Sequence, residues 1–405
     1  MKKFFAFMLA CLMVLSLAAC QNGGKETEKP DDTKKVKVGF IFLHDENSTY
    51  DKNFMDAAKA ACEELKIDYV LKTNVDESDA CYQAAADLVD QGCNIVFADS
   101  FGHESYMIQA AKDFTNVEFC HATGTRAHTE GLKNYHNAFA TIYEGRFLAG
   151  VAAGLKLKEM IDSGKITAAQ AKTGYVGAYT YAEVVSGYTS YYLGMKYIVP
   201  EVTMEVQFTG SWYDEAKEKE AAEKLISDGV VLMSQHADSM GAPTACETAG
   251  VPNVSYNGST VSACPNTFIV SSRINWAKYY AYVYNCVKDG KEIAVDWTGG
   301  FAEGSVELSA INEKAAAPGT KEKVDAVVAD LKAGKIKVFD INTFTVDGGK
   351  KLESYMADVD TDKDFTPDTE VVSDGYFHES EKRSAPAFDI KTVDGIALLN
   401  INFGE

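Results

Sequence analysis

Apolar residues in this chain fall into short unbroken runs, separated by stretches in which they recur at helical spacing. Residues 36–43 (VKVGFIFL) form the first run, near-continuous as strands of parallel sheets are, and a helix is expected around 53–65. Further strands are expected at 69–72, 94–98, 117–121 and 138–142, with a helix through 78–90 closed by Gly92. The pattern restarts at Gly174. It predicts strands at 174–178, 203–208, 230–233, 254–256 and 267–271, with helices through 188–198, from Asp214 to Ser227, and at 276–287. Strand–helix alternation at roughly 25–30 residues per unit predicts a doubly wound parallel α/β sheet, and its repetition predicts two such lobes.

No Pro- or Gly-rich linker divides the halves, so short connections and crossing strands are expected. The expected layout places residues 36–142 and about 272–300 in an N-terminal lobe, and 143–271 and about 301–345 in a C-terminal lobe. The C-terminal lobe is expected to include a strand at 305–308, a helix around 321–333 and a hairpin-like stretch at 338–346 around Gly348-Gly349. Residues 346–405 read as an acidic, irregular extension. A helix over 144–158 carries Gly150 and Gly154 four apart, a spacing that suits close packing of a helix on a sheet.

The first residues change the picture by setting the compartment. Lys2 and Lys3 precede an apolar stretch over residues 4–19, which reads as a signal peptide too short to favour a spanning helix. Its ending, Leu17-Ala18-Ala19-Cys20, resembles a bacterial lipobox, which implies cleavage before Cys20 and lipidation of that cysteine. Residues 20–35 then form the lipidated cysteine and a polar, flexible tether. The expected location is the extracytoplasmic face of the cell membrane, held by the lipid anchor. No later segment has 18 consecutive apolar residues. The formal net charge is −20, and losing Lys2 and Lys3 with the signal makes it −22, which argues against nucleic acid and against anionic lipid headgroups as partners.

Beyond Cys11 and Cys20, cysteines stand at 62, 81, 93, 120, 246, 264 and 286. An odd number without CxxC spacing is a poor disulfide framework and a poor zinc site, and several sit inside apolar patterns as core residues do. The oxidising compartment still leaves room for one or two disulfides.

Familiar catalytic and cofactor motifs are missing. GFIFLHD stands where a dinucleotide-binding GxGxxG would follow the first strand, and GxxxxGK[ST], GxSxG and HExxH do not occur. His44, His103, His121, His128, His136 and His236 lack metal spacing and read as loop or core residues. A catalytic reading of Gln235-His236-Ala237-Asp238-Ser239 fails because close neighbours in an extended loop point different ways. Asp358, Asp360 and Asp362 resemble the start of a calcium loop, but Lys363 replaces the required Gly and Thr369 the closing Glu, so a solvated acidic loop is expected. No cofactor or metal is expected.

What remains is a set of strand-end loops carrying aromatic and polar groups: Tyr50 and Asp51; Asp99 and Phe101; Glu183, Trp212 and Asp238; and Asn257. Ligands of open α/β sheets collect at the carboxyl ends of strands. Aromatic plates flanked by hydrogen-bonding groups hold flat heterocycles. Each residue also has a structural alternative: Tyr50 and Phe101 as packing at helix starts, Asp51 and Asp99 as helix caps.

These residues also resemble a known family. Lys37-Val-Gly-Phe-Ile-Phe, Thr49-Tyr50-Asp51 with Phe54, Glu144-Gly145-Arg146-Phe147-Leu148-Ala149-Gly150, Gly174-Tyr-Val-Gly, Gly210-Ser-Trp212-Tyr-Asp214 and Gln235-His236-Ala-Asp238-Ser239 fall in the order found in the basic membrane protein family. These are PnrA-like substrate-binding lipoproteins of ABC transporters, and the resemblance spans roughly residues 36–345. It implies the type I periplasmic-binding-protein fold, with two lobes joined by a three-strand hinge. It also implies capture of a purine base or nucleoside and ABC permease subunits as partners.

Carried over by position, Tyr50 matches the N-lobe aromatic of the family's Ser-Phe-Asn and Asp51 its amide. Trp212 matches the second stacking position, and Asp238 lies in the loop that meets the ligand. Asn257-Gly258 replaces the usual acidic Gly-Val-Asp segment, a departure at the place of ribose recognition. The pattern leans toward the branch that binds a free base such as adenine. Alternatives from other classes are a ligand sensor feeding a membrane receptor, a purine-processing enzyme, and an adhesive surface lipoprotein.

Overall fold

The computed structural model describes residues 35–401 and residue 403; the expected signal peptide, the lipidated Cys20 and nearly all of the tether lie outside the described residues. The first half runs β1 (Lys37–Ile41), α1 (Thr49–Leu65), β2 (Asp68–Lys72), α2 (Asp79–Asp90), β3 (Ile95–Ala98), α3 (Glu104–Asp113), β4 (Glu118–Ala122), α4 (Ala127–Glu130) and β5 (Tyr135–Ala140). Then α5 (Ile142–Asp162) leads to β6 (Lys172–Gly177), α6 (Ala182–Lys196), β7 (Thr203–Phe208), α7 (Glu215–Ser227), β8 (Leu232–His236), α8 (Gly241–Ala249), β9 (Asn253–Tyr256) and β10 (Phe268–Ile274). The remainder comprises α9 (Ala277–Asp289), β11 (Asp296–Gly299), β12 (Val306–Leu308), α10 (Thr320–Lys332), the short strands β13 (Met356–Ala357), β14 (Thr369–Glu370), β15 (Val372–Ser373) and β16 (Tyr376–Phe377), and finally β17 (Ile396–Leu398).

Two parallel sheets result. The first has the order β11-β5-β4-β3-β1-β2 and the second β12-β10-β9-β8-β6-β7-β17, with only β12 antiparallel to its neighbour. Both contain a doubly wound order that reverses direction next to its first strand, at β1/β3 and at β6/β8. Crevices for ligands open at the carboxyl ends of such switch points. The chain passes between the sheets three times: after β5, between β10 and β11, and between β11 and β12. The fold is the type I architecture of periplasmic solute-binding proteins.

Buried strands with helices on both faces explain the unbroken apolar runs. In the first sheet Phe40 and Phe97 face α1 and α9, where Phe54 stacks on Trp276 at 4.4 Å between ring centroids. Ile41, Val96 and Phe119 face α2 and α3 on the other side. Truncating such a ring costs about 3–5 kcal/mol, so this aromatic cluster is a major holder of the first sheet.

In the second half, Gly150 and Gly154 pack α5 against helix α6 rather than against a sheet. A Cβ on Gly150 would strike the Tyr191 carbonyl, and one on Gly194 of α6 would strike the Phe147 carbonyl. The two backbones therefore touch, which only glycine allows.

Two other expectations need correction. Residues 338–346 do not form a hairpin; only Val346 pairs with Lys350 across the turn at Gly348-Gly349. The segment from 346 onward is irregular, yet it is no loose extension. Val346, Leu352, Val371, Phe377, Phe388 and Val393 join the second core, and β17 pairs with β7. Those apolar residues are too scattered to carry a period, so nothing but tertiary packing reveals them. The seven body cysteines are all buried and unpaired, packing as the small core residues their apolar surroundings led one to expect.

Candidate functional site

A cavity lies where the carboxyl ends of both sheets meet, lined by Leu43, His44, Tyr50, Ser100, Phe101, Thr123, Glu183, Trp212, His236 and Asp238. Each lining residue follows, ends or closely flanks a strand, at the two switch points or beside them. Five of the eight residues expected from sequence come together here: Tyr50, Phe101, Glu183, Trp212 and Asp238. The aromatic side is built first. Tyr50, in the first turn of α1, donates its hydroxyl to the Asp99 carbonyl at 2.8 Å, and its ring packs on Phe54. Trp212 leans on Tyr179 (5.0 Å, edge-on) and Tyr181 (6.0 Å). Tyr181 in turn meets Phe101 at 4.9 Å, joining the rims of the two sheets.

The other three expected residues lie behind the lining. Ser48 caps α1, accepting the Asp51 N–H, while the Asp51 carboxylate accepts from the His44 N–H (2.8 Å) and the Ser48 hydroxyl (2.6 Å). Burial opposes its ionisation, yet the bonds from His44 and Ser48 hold its carboxyl below the usual range. Asp51 thus ties down the loop that delivers His44. Asp99 caps no helix; it accepts the Leu43 N–H at 3.3 Å and leaves its second oxygen buried without a partner. Burial, then the charge of Asp51, pushes the Asp99 carboxyl well above the ordinary value. Asn257 adopts a left-handed conformation (φ 67°), its N–H bound to the Ser272 carbonyl and its side-chain nitrogen buried without a partner.

Asp238 is the most tightly built member. Its N–H donates to the Trp212 carbonyl (3.0 Å), and its own carbonyl accepts the Thr49 N–H from the other sheet (2.9 Å). Gln235 donates to the carbonyls of Ala237 and Ser239, and Glu218 accepts the Ser239 N–H at 3.1 Å. Burial, then the charges of Asp51, Glu218 and Glu183, raises the Asp238 carboxyl well above the ordinary range. Glu183 opens α6 and reaches His236 (3.4 Å) and Tyr256 (3.5 Å). Burial lowers the His236 pKa, leaving a neutral ring whose Nδ1 has no partner. Underneath, the fully buried Arg146 donates to the Tyr175 hydroxyl (2.5 Å) and the Gln235 carbonyl (3.2 Å), against the rings of Tyr175, Tyr191 and Tyr256.

Sequence reasoning passed over Leu43, His44, Ser100, Thr123 and His236 as site residues. Ser100 stood inside a loop already singled out, and His236 beside Asp238, so position at a strand end was the available signal. Away from this cavity, Asp360, Asp362 and Asp368 bring carboxylate oxygens within 4.8 Å of one another in a loop open to solvent. That is how an acidic loop behaves with or without an ion.

Two switch-point crevices closing on one small, largely apolar cavity define a solute-binding protein. Residues 38–342 match the family model for PnrA-like substrate-binding proteins of ABC transporters, and the chain belongs to that family. It is similar to a purine-binding protein of Brucella abortus, 28% identical over 79% of this chain and 88% of that one. It is also similar to a Haloferax volcanii protein named for glucose binding in an ABC transporter, 27% identical over 68% of this chain and 67% of the other. Among solved structures, a solute-binding protein of an ABC transporter system from Aeropyrum pernix K1 superposes with a TM-score of 0.64 at 17% identity. It covers 75% of this chain and 93% of that one, a likeness of fold. Members of the family work outside the cytoplasm, and among the described residues no helix is long and apolar enough to cross a membrane.

Proposed function

We propose that this protein captures a purine, with a free base such as adenine favoured over its nucleoside, and delivers it to the permease of an ABC importer. The observation that carries this reading is the cavity itself. Its walls combine the rings of Tyr50, Phe101 and Trp212 with the carboxyl groups of Glu183 and Asp238, and no Lys or Arg lines it. Rings stack on a flat heterocycle, and the acids meet its ring N–H and exocyclic amine. Phosphorylated nucleotides are disfavoured, because nothing cationic answers a phosphate. The purine-binding relative supports the reading.

In this scheme the two sheets belong to lobes that hinge at the three passages. Ligand enters an open cleft, and its differential affinity for the closed form shifts the population toward the shape the permease reads. Cys20 carries a lipid that holds the protein at the membrane, and residues 20–35 give it reach. Chemistry on the ligand is not part of the scheme. A second reading is a sugar, since an aromatic face with carboxylates also holds hydroxyls and one relative is named for glucose.

Calorimetric titration of residues 36–405, unfolded and refolded to strip carried-over ligand, tests this with adenine, hypoxanthine, guanine, adenosine, guanosine and glucose. Tight binding of a base and not its nucleoside supports the proposal. Binding of glucose alone, or of nothing by a folded protein, overturns it.

A further inference from the structure

The segment that follows the family match, beyond residue 342, reaches back to the loops that carry the aromatic wall of the cavity. Strand β17 lies along the free edge of β7, with Ile396 opposite Met204 and Leu398 opposite Val206. Leu399 continues the ladder, donating to the Val206 carbonyl at 2.9 Å. Asn400 then grips both backbone groups of Phe208, the last residue of β7. Its Oδ1 accepts the N–H at 2.7 Å and its Nδ2 donates to the carbonyl at 2.9 Å. A side chain here completes a strand ladder that the backbone leaves unfinished. The loop that begins at once after Phe208 carries Trp212.

Phe403 makes the second attachment. Its carbonyl accepts the Thr180 N–H at 2.9 Å and the Thr180 hydroxyl as well. Thr180 lies between Tyr179 and Tyr181, the two rings against which Trp212 leans. The Phe403 ring rests on Gly210, so close that a Cβ there would sit 2.6 Å from the ring's Cδ1. Gly210 has a φ of 70°, a conformation glycine adopts freely and therefore one its loop could leave without the ring.

We propose that residues 395–401, with Phe403, act as a strut that sets the aromatic wall of the cavity, with Asn400 and Phe403 as positioning residues for Trp212. The proposal rests on the reading of the cavity as the ligand site. One segment fastens both loops of that wall while packing on the edge of the second core, so removing its grip loosens Trp212 without touching the ligand.

The test uses the full chain with Phe403→Ala and Phe403→Leu. Two readouts are taken: adenine affinity, and acrylamide quenching of Trp212 obtained as the difference from the matching Trp212→Phe protein. Phe403→Ala is expected to raise quenching and weaken adenine about tenfold through faster release, with the thermal midpoint near the parent's. Phe403→Leu is expected to restore both. Should Phe403→Ala not fold, Asn400→Asp, which loses the donor to the Phe208 carbonyl, carries the same readouts. Unchanged quenching and affinity overturn the strut. If the parent protein ignores adenine, the ligand reading fails, and quenching alone still decides whether the strut exists.

Discussion

The N–H of Thr49 donates to the carbonyl of Asp238 at 2.9 Å, a backbone bond that joins the first helix of one sheet to the cavity loop of the other. It sits at the cavity's rim, beside Tyr50 on one side and Trp212 on the other. In the hinging scheme proposed above, a bond in this place is made in the closed form and lost in the open one.

Thr49→Pro removes this donor selectively. Thr49 is the first residue of α1, where proline is tolerated, and Ser48 before it is already extended (φ −75°, ψ 126°) as a residue preceding proline must be. Net loss of one hydrogen bond, about 0.5–1.5 kcal/mol, is expected to weaken ligand roughly two- to tenfold with the melting temperature held. Titration calorimetry beside thermal unfolding checks it. Unaltered affinity would remove the bond from the closing mechanism.

Trp212→Ala is expected to weaken a bound purine by about 1–3 kcal/mol, the usual worth of a base stacked on an aromatic ring. Retention of parental affinity would show that the indole is merely part of the wall of Tyr179 and Tyr181.

Glu218 gives a pH signature. Burial raises its pKa from 4.5 to about 7, although Ser239 and Asp214 donate to it. A folded-state pKa above the unfolded value means that this group's contribution is full below pH 4.5 and is lost as the pH rises toward 7. Glu218→Gln keeps an acceptor and does not titrate. The variant is therefore expected to gain stability relative to the parent between pH 5 and 7.5 or so, as read from urea midpoints. A difference that stays flat with pH would refute the assignment.

Gly150→Ala and Gly194→Ala each place a methyl group into a backbone carbonyl of the facing helix. Overpacking of this kind costs about 1–3 kcal/mol, and chemical denaturation of each variant measures it. Little or no loss would mean that α5 and α6 can separate.

Much of this architecture is legible in the residues themselves. Strands such as β1 and β3 are buried almost throughout, so their apolar runs stand out. The same run does not say what a glycine faces: Gly150 announces close approach, and only the fold shows that Gly194 of α6 is the counterpart. For the site, strand ends are readable, but the direction a side chain takes there is not. Asp51 and Asp99 turn inward to hold the loops after β1 and β3, whereas His44 and Thr123, ordinary loop residues by composition, face the cavity. Six separate loops contribute, and no local pattern encodes their convergence.

The pairing of β17 with β7 also has a consequence in time. Asn400 reaches Phe208 across 192 positions of chain. In a polypeptide threaded N-terminus first through a membrane, β7 presents a bare edge for as long as those positions take to follow, and a bare edge is a template for unwanted pairing. Completion of the second sheet is therefore tied to delivery of its most distant strand.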